Sequence, residues 1–243
     1  MKYILTFVSI FIYTAISAEA VLTREVKESY PGGIPKTVDF SDGKFIVKRI
    51  EYYQSGQKHY EITAENKGET GEITIWNDNL KPSFKGTWEK FGVKWKIEGF
   101  HDNHKKSMQG EWTGQYPHGD WRTWFSNGKL EFEGSIYLGK PEGRQVLYYD
   151  SGNMRAECNY TNGIENGKLR LYYQDGRVRV ERKYDYGKIV YNRRYNKKGV
   201  MTMNAEFAPN ETVAGRSVKY VWPMEIIEAV TKNVELVKPL IYK

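Results

Sequence analysis

The chain has 243 residues, enough for one large domain or two small ones, and its formal net charge of +7 favours anionic partners. Its single cysteine, Cys158, excludes an intramolecular disulfide framework and a multi-cysteine metal site. The 19 tyrosines, 7 tryptophans, 10 phenylalanines and 23 glycines indicate an all-β protein, because aromatic residues favour strands and glycine favours turns.

The first 20 residues have the pattern of a signal peptide. Lys2 gives a short positive region, residues 4–16 form an almost uncharged apolar stretch, and Ala18 and Ala20 are small residues of the kind a signal peptidase recognises. The apolar stretch is shorter than the roughly 20 residues that a membrane-spanning helix needs. We therefore predict cleavage after Ala20, or else after Ala18, and a mature protein that is secreted or periplasmic. An uncleaved membrane anchor is the alternative.

Residues 21–43 are predicted to be an N-terminal leader, an extended segment that covers the start of a repeat array at 44–200. Within that array the same pattern recurs: two aromatic residues, two turn residues, a glycine, a polar residue and an apolar one. The turn glycines Gly128, Gly152 and Gly176 are 24 residues apart, and Gly56 lies three such periods before Gly128. The sequence therefore contains about seven tandem repeats of 24 residues.

Each repeat has the pattern of a β-hairpin. After the turn glycine, apolar and polar residues alternate with a period of two, as in Leu130, Phe132 and Ile136 against Glu131 and Glu133. One hairpin is too small to fold alone, so stacking on its neighbours must bury its apolar face. The predicted fold is an elongated, twisted, single antiparallel sheet.

Residues 201–243 leave the period and are predicted to form a C-terminal cap. Pro223 precedes a segment whose apolar residues share one side of a helix, so we predict a short helix at about 224–236. Such a helix would hide the last apolar surface of the array, or alternatively bind a partner.

These motifs resemble the MORN-type repeat, in its bacterial variant form, whose relatives are often labelled antitoxin-like. The segments that carry the resemblance run from Tyr148 to Met154 and from Tyr160 to Gly167, and it weakens between Thr74 and Lys106, where Leu80 and His104 replace the turn glycine. The resemblance implies an elongated sheet of successive hairpins with no known catalytic residues. It also implies roles in protein interaction, in scaffolding or, for some members, at membrane lipid.

One face of the strands that follow the second turn of each repeat carries a recurring set of basic and aromatic residues. Because these positions recur every 24 residues, stacking the repeats aligns them into a ribbon suited to stacking on sugars or bases, to cation–π contacts or to an aromatic-rich protein interface. The alternative is that cross-strand aromatic ladders only hold a single sheet together. The candidate binding residues are Arg122, Trp124, Tyr148, Arg170 and Tyr172.

No other residue cluster defines a catalytic or metal site. His101 and His104 lie in a predicted turn that supplies no third protein ligand for zinc, so no metal and no cofactor is predicted. Cys158 is expected to fill space in the sheet rather than to act as a nucleophile. We accordingly predict that the protein is not an enzyme.

The leading hypothesis is an exported, non-catalytic repeat scaffold that mediates protein–protein interaction through its aromatic sheet face. The alternative is binding of an anionic membrane surface or glycan through the stripe that contains Arg122 and Arg170. Nucleic acid is not expected as a partner.

Overall fold

A computed structural model of the protein describes residues 22–90, 92–114 and 116–208. The predicted signal peptide and the predicted helix at 224–236 lie outside the described residues. The described part of the chain is all-β, apart from a single 3₁₀ turn at Asn66–Gly68.

Sixteen strands are found in the described residues. In chain order they are β1 (Thr23–Ser29), β2 (Pro35–Ser41), β3 (Ile46–Tyr52), β4 (Lys58–Glu65), β5 (Thr70–Trp76), β6 (Pro82–Glu89), β7 (Lys94–Phe100), β8 (Lys106–Thr113), β9 (Tyr116–Trp124), β10 (Leu130–Tyr137), β11 (Lys140–Tyr148), β12 (Met154–Thr161), β13 (Ile164–Tyr172), β14 (Val178–Asp185), β15 (Lys188–Tyr195) and β16 (Met201–Glu206).

The strands form one antiparallel sheet in which every strand pairs with its neighbours in sequence, from β1 at one edge to β16 at the other. The predicted architecture, a single sheet of successive hairpins, is thereby confirmed. With interstrand spacings of about 4.8 Å, fifteen such steps give a sheet about 70 Å wide. The sheet is open, because within the described residues β1 pairs only with β2 and β16 only with β15.

The described residues contain eight hairpins, where the sequence predicted about seven repeats. Each closes with the same five-residue turn, in which the N–H of the first residue donates to the carbonyl of the fifth, and we call these the glycine turns. In the added first hairpin, Tyr30 N–H donates to Ile34 O at 2.8 Å, as Tyr53 N–H donates to Gln57 O at 2.8 Å in the next. The segment predicted to be a leader thus supplies β1 and β2, and the sheet also extends past residue 200 through β16.

The two glycine turns that lack glycine keep the geometry of the others. Leu80 and His104 adopt φ values of 64° and 65°, in the left-handed region where Gly128 has a φ of 89°. A side chain there is strained, because its Cβ approaches the following carbonyl oxygen. The two degenerate repeats keep the turn despite this strain, and both retain its local asparagine bond: Lys81 N–H donates to Asn79 Oδ1 at 3.2 Å and Lys105 N–H to Asn103 Oδ1 at 3.1 Å.

One face of the sheet, here called the core face, carries the larger of the two buried clusters. That cluster spans β4 to β10 and includes the tryptophans Trp88 and Trp121. Each of these indoles lies over a glycine: a Cβ built on Gly71 would come within 2.1 Å of the Trp88 ring, and one built on Gly110 within 2.4 Å of the Trp121 ring. A large ring opposite a glycine lets one layer bury apolar surface without a second layer above it.

Candidate functional site

The five predicted binding residues lie on the opposite face, here called the polar face. They come from the ends of three strands, β9, β11 and β13, and the sheet order places those strands two apart. Spacings of about 4.8 Å per strand therefore separate successive members by about 10 Å. The five residues therefore lie in a row on one face, but they differ in how exposed and how engaged their side chains are.

Arg122 and Trp124 are the more accessible members. The Arg122 side chain is 50% exposed, and its nearest carboxylate oxygen, on Glu133, is 3.9 Å away. Trp124 is half-buried, and the Lys106 ammonium lies over its ring at 5.8 Å from the centroid. Lys106 in turn contacts Glu98 at 2.6 Å. A ligand can therefore reach this end of the ribbon with only modest rearrangement.

Arg170 and Tyr172 are held by the protein itself. Both contact Glu157, which accepts hydrogen bonds from the Tyr172 hydroxyl at 2.6 Å and from Arg170 at 3.4 Å. Arg170 also donates to Glu181 at 2.8 Å, and Arg144 donates to Glu157 at 2.9 Å. Tyr172 is 7% exposed. Stacking on a ligand is therefore blocked at Tyr172, and the charge of Arg170 is neutralised by two carboxylates.

Tyr148 repeats this arrangement one period earlier, since its hydroxyl donates to Glu133 at 2.7 Å. Burial, followed by this hydrogen bond, raises the pKa of Tyr148 to about 12, and burial with the Glu157 bond raises that of Tyr172 to about 12. Burial alone would raise the pKa of Glu157, but the Tyr172 hydrogen bond and the neighbouring arginines outweigh it, so that this pKa is lowered. At neutral pH the carboxylate is charged and both phenols are protonated.

Three glutamates belong to this site, although none was predicted from the sequence. Glu133, Glu157 and Glu181 are 24 residues apart, so the periodicity marks them as clearly as it marks the aromatics. Their role follows from the strand register, which places Glu157 opposite Arg170 and Arg170 opposite Glu181. Period-two alternation gives the face of a residue, but not which residue lies across from it.

The glycine turns are joined to one another by side chains that reach forward by one repeat. The hydroxyl of Tyr53 donates to Trp76 O at 2.9 Å, and the hydroxyl of Tyr149 donates to Tyr172 O at 2.8 Å. We call such bonds staples. They explain the second aromatic of each pair, because its side chain supplies the donor, while the acceptor is the backbone carbonyl of the preceding position in the next repeat.

His101 occupies the staple position in its repeat, and its Nε2 lies 2.7 Å from Trp124 O. Asn103, in the same turn, donates to Ser126 O at 2.6 Å. This pair of contacts gives the turn a structural role between repeats. Among the described residues there is no group of three or more histidine, cysteine, aspartate or glutamate side chains that could hold a metal ion.

Cys158 packs in the second buried cluster of the core face, beside Tyr160, Leu169 and Tyr184. Burial, and then the negative charge of Glu165, raises the pKa of its thiol to about 12. The thiol is therefore protonated at neutral pH, which is the state of an unreactive packing residue.

The turns at the other end of the strands form an exposed apolar surface that the sequence reading did not identify. These are the tight turns that join one hairpin to the next, and large apolar side chains at or beside five of them are at least 44% exposed. Neighbouring turns touch, since a Cβ built on Gly139 would meet the Tyr116 ring at 3.2 Å. We call this surface the apolar ridge. Its members are Val93, Tyr116, Tyr137, Leu138, Ile164 and Tyr186.

These observations define the protein as a single-sheet hairpin-repeat protein whose units are joined by side chain-to-backbone bonds. The family model of the MORN repeat variant matches residues 117–136 and 141–162, so these repeats are of MORN type. The matched segments cover nearly all of β9, β10 and β11 and the whole of β12, together with the two glycine turns that join β9 to β10 and β11 to β12. No curated protein matches the sequence.

Two solved structures show weak similarity. A TarM mutant from S. aureus, in complex with fondaparinux, alpha-GlcNAc-glycerol and UDP, is 15% identical with a TM-score of 0.20; the match covers 50% of this chain and 21% of TarM. A protein of unknown function from Bacteroides fragilis NCTC 9343 is 7% identical with a TM-score of 0.15, and the match covers 77% of this chain and 94% of the other. Neither similarity defines a shared overall fold.

The structure contains no helix, in the part of the chain that it describes, with the length and apolar character needed to cross a bilayer.

Proposed function

We propose that the protein is an exported, non-catalytic scaffold whose repeat array binds a protein partner. The observation that carries the proposal is the apolar ridge, together with the accessible part of the aromatic sheet face. Proteins in water rarely leave large apolar side chains contiguous and exposed unless another molecule covers them.

The ridge has the composition of a protein-binding surface. Three of its six residues are tyrosines, which are enriched at protein interfaces because they bring a large apolar area and a polar hydroxyl on a stiff side chain. Tyr116, Tyr137 and Tyr186 are 52%, 58% and 66% exposed. Since hairpin follows hairpin at about 10 Å, an extended or helical partner segment could contact several tips at once.

The sheet face contributes at the β9 end of the predicted ribbon. Arg122 is half-exposed and Trp124 is half-buried, and arginine and tryptophan are the residue types that most often dominate binding energy. Arg170 and Tyr172 are engaged with Glu157 and serve the sheet. We therefore propose Arg122, Trp124 and the ridge as the contact residues.

The test is affinity capture from the extracytoplasmic fraction with immobilised wild type and three variants. The first carries Tyr116→Ser, Tyr137→Ser and Tyr186→Ser, and the second carries Trp124→Ala. The control carries Lys105→Ser and Lys129→Ser, which alters exposed side chains at the glycine turns. We expect a partner retained by wild type and by the control, and lost with the tyrosine variant. A partner held equally by all four folded proteins would contradict the proposal.

The second candidate, an anionic surface or glycan, is favoured by one observation. Cationic side chains recur on the glycine turns, where Lys105 and Lys129 donate to the backbone carbonyls of Asn127 and Ser151 and form no ion pair with any described carboxylate. A row of exposed cations attracts anions with an energy that salt screens. Binding to anionic vesicles that falls steeply between about 50 mM and 500 mM NaCl, and is lost in the lysine variant, would favour this candidate.

A further inference from the structure

The middle of the polar face contains a trough that the ridge does not account for and that shares Arg122 with the predicted ribbon. It has a volume of about 690 Å³ and crosses the five strands β5 to β9. Each strand contributes two alternate side chains that point to the same face. These side chains are Glu72, Thr74, Lys85, Thr87, Lys96, Glu98, Gln109, Glu111, Asp120 and Arg122.

Part of the charge in the trough is open, on Lys96 and Glu111, whereas Glu98 pairs with Lys106 at 2.6 Å and Asp120 accepts a hydrogen bond from Ser135 at 2.6 Å. Lys96 lies opposite Glu111 in the β7–β8 register, yet neither side chain forms an ion pair with any described residue. In the regular repeats, by contrast, Arg170 bridges Glu157 and Glu181. The Lys96 ammonium and the Glu111 carboxylate thus come from directly opposite positions of neighbouring strands, and neither is taken up by an ion pair among the described residues.

This trough coincides with the repeats that depart most from the pattern. Leu80 and His104, which replace the turn glycine, belong to the hairpins β5–β6 and β7–β8. Those two hairpins supply eight of the ten trough side chains. The two hairpins with strained turns are therefore also the ones that lack the arginine–glutamate–tyrosine network of the regular repeats.

The lining excludes two classes of macromolecule. Four carboxylates and three cationic groups give the trough almost no net charge, so a polyanion such as nucleic acid gains little there. A protein partner would need an apolar centre, and the side chains that point into the trough are charged or polar. The lining instead suits an uncharged ligand rich in hydroxyl groups. A single hydroxyl can accept a hydrogen bond from the Lys96 ammonium and donate one to the Glu111 carboxylate.

Aromatic rings border the trough on the same face. The rings are those of Trp76, Phe100 and Trp124, each half-buried and two positions after a trough residue. They lie on β5, β7 and β9, so one strand separates each ring from the next. They are therefore spaced by about 10 Å. Lysines over the rings, such as Lys85 at 6.0 Å from the Phe100 centroid, add donors at the border. Planar rings beside charged hydrogen-bonding groups suit the flat faces and hydroxyl edges of sugar rings.

From this arrangement we infer that the trough binds a neutral oligosaccharide that lies across β5 to β9. The four strand spacings make the trough about 19 Å long, which accommodates a chain of several sugar rings. The site is separate from the apolar ridge, although it shares Arg122 and the bordering Trp124 with the sheet-face contacts proposed for the protein partner.

Calorimetric titration of the full mature chain with neutral hexasaccharides tests the inference. The probes are cellohexaose, chitohexaose, maltohexaose and mannohexaose, with heparin as the anionic comparison. We expect at least one neutral probe to bind, with a Kd that is nearly unchanged between about 50 mM and 500 mM NaCl, because an uncharged ligand is not screened. Binding by heparin alone, or by no neutral probe, would overturn the inference.

Variants locate the site. Lys96→Ala with Glu111→Ala should weaken binding by about tenfold or more, because hydrogen bonds to charged groups are lost. The control, Lys168→Ala with Lys183→Ala, removes exposed lysines on the same face of β13 and β14 and should leave the Kd unchanged. Thr87→Phe fills the trough at an exposed strand position and should abolish binding. If both trough variants keep the wild-type circular dichroism spectrum and bind the oligosaccharide with wild-type affinity, the proposed site is wrong.

The tyrosine variant of the ridge separates this inference from the proposed function. It should keep its glycan affinity while losing the protein partner. Loss of both together would contradict the independence of the two surfaces.

Discussion

Glu157 is the acceptor at the centre of the polar-face network, and removing its charge should reveal how much the network stabilises the sheet. Its side chain is 16% exposed and receives hydrogen bonds from Tyr172 at 2.6 Å, Arg144 at 2.9 Å and Arg170 at 3.4 Å. Hydrogen bonds to charged groups contribute about 1.5–3 kcal/mol each when buried, and half-exposed ion pairs about 0.5 kcal/mol. We expect Glu157→Gln to lower the free energy of unfolding by about 2–3 kcal/mol.

A double-mutant cycle with Tyr172→Phe isolates the central bond. The coupling free energy between the two substitutions should be about 1.5 kcal/mol at pH 7, measured by urea unfolding followed with far-UV circular dichroism. Asp185→Asn, which removes an exposed carboxylate at a hairpin tip, is the control and should change little. A coupling below about 0.5 kcal/mol would refute the reasoning, because distant sites are additive to that level.

The pH dependence of the cycle provides a second check. The pKa of Glu157 is lowered in the folded protein, so folding favours the charged form. Its contribution is therefore present above the ordinary glutamate pKa of 4.5 and is lost as the pH falls through the lower folded value. The coupling should shrink on acidification. A coupling that stays constant to the acid limit of folding would show that the carboxylate charge is not its source.

Three further substitutions follow from the repeat geometry. His104→Gly should raise the free energy of unfolding by about 0.5–1 kcal/mol in a urea titration, because it relieves a positive φ; a loss of stability would contradict the strain. Gly71→Ala should destabilise by about 2–3 kcal/mol, because its Cβ would lie 2.1 Å from the Trp88 ring, and an unchanged melting temperature would refute this packing. Phe125→Tyr should add the missing staple to Tyr148 O and stabilise by about 1 kcal/mol, whereas no gain in thermal unfolding would show that the hydroxyl does not reach.

The fold was predictable because the same 24-residue pattern recurs many times along the sequence. Glycines 24 residues apart and period-two alternation identify the hairpins even where single turns are degenerate, as at His104. The first hairpin was not predicted, because its tyrosine, Tyr30, lies 23 rather than 24 residues before Tyr53. A proline also separates this tyrosine from the glycines that follow it. Only its hydrogen bonds, which match those of the next turn, show that it is a repeat.

The site was less predictable, because the face of a residue can be inferred from alternation but its partners cannot. Arg170 and Tyr172 are on the expected face, yet the register places Glu157 within reach of both, which removes them from the exposed surface. The apolar ridge was missed for a different reason. Its residues, such as Tyr186 and Ile164, lie at or beside tight turns, and their exposure depends on how far each tip projects.

The staples give the array a direction. Each staple hydroxyl points to the following hairpin, as Tyr30 does to Tyr52 O and Tyr173 to Tyr195 O, both at 2.9 Å. Removing hairpins from the amino-terminal end strips donors and leaves carbonyls at a rim where water can replace them. Removing them from the other end leaves phenol groups whose acceptors are gone. Shortened versions of the protein should therefore tolerate loss at the beginning better than loss at the end, although the sheet looks repetitive in both directions.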